Sequence, residues 1–120
     1  IVLTGMTTQS QTDTQKPIRV ADSDELQAVL EEHDRVLVDF WTKGCAKCAA
    51  IEPVLGNVAR ATGITVAMAN PGDDASLVGE WSISSAPTLV LVENGEEVAR
   101  LAEGFQGGDA IEAFLDEHLD

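Results

Sequence analysis

The segment Val36-Leu37-Val38-Asp39-Phe40-Trp41 is apolar throughout except for Asp39. Side chains of a strand point alternately to opposite faces, so an unbroken apolar run is what a strand covered on both faces requires. The chain is thereby expected to supply helices for both sides of a sheet. Apolar stripes at helical spacing stand on either side of the run. Leu26, Val29 and Leu30 form one before it; Cys48, Ile51, Leu55, Val58 and Thr62 form another after it.

Other signals place the remaining elements. A short strand is predicted over 18–21. Asp22 followed by Glu25 makes a capping-box-like helix start. A long helix is predicted from Cys45 to about Thr62, kinked at Pro53 and ended by Gly63. A strand follows over 64–69, then the turn Asn70-Pro71-Gly72-Asp73, a short helix to Trp81 and a loop over 82–86. Asn94-Gly95 reads as a hairpin turn between strands over 88–92 and 97–103. Ile111, Phe114, Leu115 and Leu119 mark a last helix. Alternating strands and helices that end in a hairpin and a helix imply an α/β layered domain with a mixed sheet.

At 120 residues the chain is expected to be one domain with a substantial core. Residues 1–16 are rich in Thr, Gln and Ser and read as a disordered leader. Met6 is a candidate native start, which would make residues 1–5 a cloning remnant; the domain proper is then 17–120. No signal-peptide pattern or bilayer-length apolar run is visible, and a cytoplasmic location is expected.

The formal net charge is −14, from 21 acidic and 7 basic residues. That charge disfavours nucleic acid backbones and anionic membranes as partners. So acidic a chain with three lysines and no tyrosine points to a protein built for high salt. At molar ionic strength the Debye length is about 3 Å, and self-repulsion is largely screened.

Cys45 and Cys48, the only cysteines, sit where the apolar strand gives way to the long helix. A pair at this spacing can close as a disulfide and reopen, which points to thiol–disulfide exchange. Lys43 and Lys47 flank Cys45; nearby cations favour a thiolate. Metal binding is the competing chemistry, but zinc needs four ligands, and only His33 and His118 are available besides.

Over 18–119 the chain resembles the thioredoxin family. The resemblance rests on Val38-Asp39-Phe40-Trp41, on Cys45 and Cys48 as the redox pair, and on Pro53 five residues after the second cysteine. Ala86-Pro87-Thr88, Asn94-Gly95 and Gly104 complete it. It implies a thioredoxin fold, with a central mixed sheet of four to five strands flanked by about four helices. It implies a protein-disulfide reductase in which Cys45 is the nucleophile, Cys48 the resolving thiol and Asp39 the general base beneath it. Pro87 is implied to be cis, with Trp41, Gly44, Ala86, Pro87 and Gly104 forming the substrate-binding surface. Lys43 and Lys47 would tune the thiolate. The implied partners are a flavin-dependent thioredoxin reductase as electron donor and disulfide-bearing target proteins. A monomer is expected, with no bound cofactor and no metal, because the dithiol itself carries the two electrons.

Three positions depart from the family pattern. Gly44 stands where tryptophan is common, which strips apolar surface from the docking face. Ala46-Lys47 replaces the common Gly-Pro, and the added lysine predicts a more oxidising couple. Met68 stands where a lysine is often found near the aspartate, so Asp39 is expected to be less compensated, with a pKa higher than usual. The alternative function is a non-catalytic thioredoxin-like binding or chaperone module with a fixed disulfide.

Overall fold

The computed structural model describes residues 16–119. The leader reading of residues 1–15 falls outside the described residues. The elements in chain order are β1 (Ile18–Val20), α1 (Ser23–Glu32), β2 (Arg35–Phe40), α2 (Ala46–Thr62), β3 (Thr65–Ala69), α3 (Ser76–Trp81), β4 (Thr88–Glu93), β5 (Glu96–Leu101) and α4 (Gly108–His118). They form a five-stranded mixed sheet in the order β1-β3-β2-β4-β5. β1 and β2 run parallel to β3, while β4 is antiparallel to both β2 and β5.

Period-two alternation sorts the strands between two cores. Leu37, Val66, Met68, Leu89 and Leu91 face one side, where Ile51, Leu55 and Val58 of α2 and Ile111, Phe114 and Leu115 of α4 cover them. Val36, Val38, Phe40, Ala67, Ala69, Val90 and Val92 face the other, under Leu26 and Leu30 of α1 and Leu77 of α3. β2, β3 and β4 are therefore apolar on both faces, as the run from Val36 to Trp41 requires. β5 is an edge strand and carries exposed polar residues.

Local chemistry sets the boundaries. Asp22 caps α1 by accepting from the Glu25 amide at 2.9 Å, and Glu25 accepts in return from the Ala21 amide at 2.8 Å. Gly63 ends α2 in the left-handed region (φ 79°), its amide donating to the Ala59 carbonyl at 2.8 Å. Asn94 and Gly95 both have positive φ (53° and 82°), the geometry a two-residue hairpin turn needs.

Thr62 departs from the expected stripe. It is exposed; its hydroxyl donates to the Val58 carbonyl at 2.8 Å and accepts from the Ile64 amide at 3.2 Å. A helix-ending threonine finds backbone partners more readily than an apolar core does. Trp81, half-buried, packs on Phe40 at 5.5 Å between ring centroids and lies against the core.

Candidate active site

β2 ends at Phe40, and the chain turns through Gly44, whose φ of 76° suits a residue without a Cβ. It then enters α2 with Cys45 as the N-cap. Cys45 and Cys48 are joined as a disulfide, with Cα atoms 5.2 Å apart. The Cys48 amide donates to Cys45 Sγ at 3.1 Å. The outer sulfur thus occupies the place of a capping oxygen, where unpaired helix amides and the positive end of the helix dipole favour an anion.

The two sulfurs are unequal. Cys45 is half-buried at the surface, whereas Cys48 is 3% exposed and heads the apolar face of α2. Opening the pair would therefore leave an accessible sulfur with helix-dipole support and a second one shielded behind it.

Asp39 is 0% exposed. Alternation along β2 directs it to the sheet face that α2 covers, and its register neighbours are Met68 on β3 and Leu89 on β4. Neither carboxylate oxygen has a hydrogen-bond partner among the described residues. A charge in such a place is costly, and the protonated form is favoured. Burial, first of all, raises the Asp39 carboxyl to about 7; the negative charge of Glu52 adds to the rise and Arg19 opposes it.

Asp39 is expected to be less compensated without a lysine in place of Met68, and its carboxyl is indeed raised, although one weaker offset comes from elsewhere. Met68 offers no cation, but Arg19 on β1 supplies one. Arg19 pairs with Glu52 of α2 and lies over the Trp41 ring, 5.7 Å from its centroid. Sequence reasoning misses both Arg19 and Glu52. They are 33 positions apart, and only the sheet order brings β1 near the start of α2.

The remaining site residues gather around the disulfide. Trp41 is half-buried against the core and, with Lys43, Gly44, Cys45, Cys48, Glu52 and Met68, lines a cavity of about 150 Å³. The Ala86–Pro87 bond is cis, and the Ala86 carbonyl oxygen lies 3.8 Å from Cys45 Sγ. On the far side, Gly104 (φ 84°) leaves room for Lys47: a Cβ on Gly104 would stand 3.4 Å from both Lys47 Cδ and Nζ. Phe105, next in the chain, is 47% exposed and escapes sequence reasoning because one aromatic in a loop carries no periodic signal.

An apolar groove of about 490 Å³ adjoins Cys45, lined by Gly44, Pro71, Val78, Ile83 and Ala86 among others. A larger hollow, about 660 Å³, lies at the opposite end of β2, around His33 and Leu119, and contains no cysteine. His33 Nδ1 is 3.4 Å from Thr65 Oγ1 there, and His118 packs against Phe114 with the rings tilted at 60°. The fold brings neither histidine to the cysteines, and the described residues hold no cluster of three or more metal-ligating side chains.

The thioredoxin family model matches residues 17–117. The thioredoxin of Mycobacterium tuberculosis (strain ATCC 25618 / H37Rv) is 36% identical over 104 residues, covering 83% of this chain and 89% of its own. The bifunctional thioredoxin reductase/thioredoxin of Mycobacterium leprae is 32% identical over 96 residues, covering 78% of this chain and 21% of its own. Among solved structures, a mutant thioredoxin from Halobacterium salinarum NRC-1 superposes with a TM-score of 0.83 at 30% identity. It covers 89% of this chain and 94% of its own.

Proposed function

The chain belongs to the thioredoxin family and is a thiol–disulfide oxidoreductase, and from that premise we propose that it serves in the cytoplasm as a reductant of protein disulfides. In the reduced form, Cys45 thiolate attacks one sulfur of a target disulfide. The target S–S bond breaks, a Cys45–target disulfide forms, and the second target sulfur leaves as a thiolate that takes a proton. Cys48 then gives its proton to Asp39 and attacks Cys45 Sγ. The Cys45–Cys48 bond forms, and the first target sulfur leaves as a thiolate that takes the proton from Asp39. Two electrons have passed from the pair to the target.

The observation that carries this reading is the position of Cys45. Its sulfur caps α2, beside the Ala86 carbonyl and the open groove, while Cys48 lies behind it. Ala86, Pro87, Trp41, Gly44 and Gly104 would then form the face against which an extended target segment lies, with Ala86 supplying backbone hydrogen bonding. Lys43 and Lys47 add positive charge beside the attacking sulfur.

The proposed electron donor is a flavin-dependent thioredoxin reductase. The Mycobacterium leprae relative, described as a bifunctional thioredoxin reductase/thioredoxin, supports that pairing. The working form is proposed to be a monomer. Salt adaptation follows from the net charge of −14: the unfolding midpoint should rise between 0.1 and 2 M KCl, and a midpoint insensitive to salt would contradict it.

The test is insulin-disulfide reduction with dithiothreitol as donor. The protein should accelerate it catalytically, Cys45→Ser should abolish the acceleration, and Cys48→Ser should accumulate a mixed disulfide on Cys45. A wild-type protein that leaves the uncatalysed rate unchanged would instead be a binding module with a fixed disulfide.

A further inference from the structure

Lys43 and Lys47 stand out in a surface that is otherwise strongly acidic. Of the seven basic residues, Arg19, Arg35 and Arg100 are committed to ion pairs, with Glu52, Glu93 and Glu97. Neither Lys43 nor Lys47 forms an ion pair or hydrogen bond among the described residues, and both are exposed. Nearby acids do not engage them. Glu52 lines the same cavity as Lys43 but is held by Arg19, and Glu103 beside Gly104 pairs with neither lysine. The two ammonium groups lie on either side of the site: Lys43 borders the apolar groove next to Cys45, and Lys47 extends over Gly104.

We propose that Lys43 and Lys47 form a cationic rim that selects target segments with an acidic side chain next to the disulfide being reduced. The inference rests on the proposed exchange reaction and names the chemistry of its preferred partner. An extended segment crossing Cys45 places the residues flanking its own cysteine over these lysines, and the groove by Val78 and Ile83 takes an apolar neighbour. Charge complementarity favours a carboxylate there.

The net charge of −14 works in the other direction, and distance decides between them. At about 0.15 M salt the Debye length is about 8 Å. Acidic groups farther than that from the lysines are largely screened, whereas a docked carboxylate meets the lysines within contact range. At about 0.15 M salt the rim therefore dominates, and it fades as the Debye length falls to about 3 Å near 1 M salt.

The experiment uses the reduced full-length protein in single-turnover mixing with three oxidants. Two are cystine peptides, identical except for Glu or Gln beside one cysteine; the third is the neutral hydroxyethyl disulfide. At 0.15 M salt the Glu peptide should react about threefold faster than the Gln peptide, with the ratio falling towards one at 1 M salt. The variant carrying both Lys43→Gln and Lys47→Gln should lose the ratio, and the variant carrying Lys43→Arg and Lys47→Arg should keep it. If the glutamine variant slows all three oxidants by one common factor and keeps the ratio, the lysines act on the thiolate alone and the inference is wrong. Equal wild-type rates for both peptides, with hydroxyethyl disulfide reduced normally, also overturn it. No reaction with any of the three overturns the exchange reading itself.

Discussion

Replacing Asp39 with Asn should stabilise the protein, and by an amount that depends on pH in a direction the site dictates. Asp39 has no hydrogen-bond partner for either oxygen, and burial, with Glu52, holds its carboxyl at about 7 against an ordinary 3.8. Between those values the folded protein keeps the proton while the unfolded chain releases it. The folded state then binds more protons, so stability falls as pH rises through this window and levels off above about 7. At about 1.4 kcal/mol per decade of proton activity, the full cost of ionising Asp39 in place is on the order of 4 kcal/mol. Asn has nearly the same shape and cannot ionise, so comparing the variant with wild type cancels every other titration. Urea unfolding of the oxidised proteins in 1 M KCl at pH 5.5 and 8.5 gives the difference. The variant's advantage should grow by about 2 kcal/mol between the two, because the window from 5.5 to 7 accounts for that part of the loss. An advantage that stays constant with pH would refute the claim that burial holds the Asp39 carboxyl near 7 in the fold.

Three further outcomes follow from the same site. Asp39→Asn should slow resolution of the Cys45–target disulfide about tenfold or more while leaving the first attack within about twofold, as loss of a general base at Cys48 requires; stopped-flow traces that show equal slowing of both steps would argue against that role. The extra cation at Lys47 should place the reduction potential about 10–20 mV above the roughly −270 mV of an ordinary thioredoxin, and equilibration with glutathione buffers followed by alkylation and mass measurement reads it directly. A value at or below the ordinary one would remove the claim. Phe105→Ala should cost about fivefold in kcat/KM for insulin reduction and less than twofold with hydroxyethyl disulfide if the exposed Phe105 beside Gly104 contacts protein targets; an equal effect on both would place Phe105 outside the docking face.

Much of this site is legible from local pattern because its chemistry is local. Asp39 is conspicuous as one carboxylate in an apolar strand, and the cysteines declare themselves by spacing and by their place at a strand-to-helix junction. Lys43 and Gly44 come with them. The hairpin is equally readable, since Asn and Gly, here Asn94 and Gly95, adopt positive φ more readily than other residues. What escapes needs tertiary information. Arg19 and Glu52 influence Asp39 only because β1 lies beyond β3 and next to the start of α2, and no periodicity encodes that meeting. The absence of lysine at Met68 suggests a less compensated carboxylate, and burial does raise it; the partial offset from Arg19 comes from another element. Thr62 fits the helical stripe by spacing, but its hydroxyl is satisfied by backbone at the end of α2. Lys47 is a neighbour of Cys45 in sequence, and the fold shows it reaching across to Gly104, which gives it a second surface to serve.

Alkylation of the reduced protein with limiting iodoacetamide at pH 7, followed by peptide mass analysis, asks most directly whether the helix N-terminus makes one sulfur the attacking group. Cys45 should be modified at least tenfold faster than Cys48, with a pH profile whose midpoint lies below the ordinary thiol value of about 8.5. Modification of Cys48 first, or of both sulfurs at one rate with an ordinary midpoint, would contradict the account.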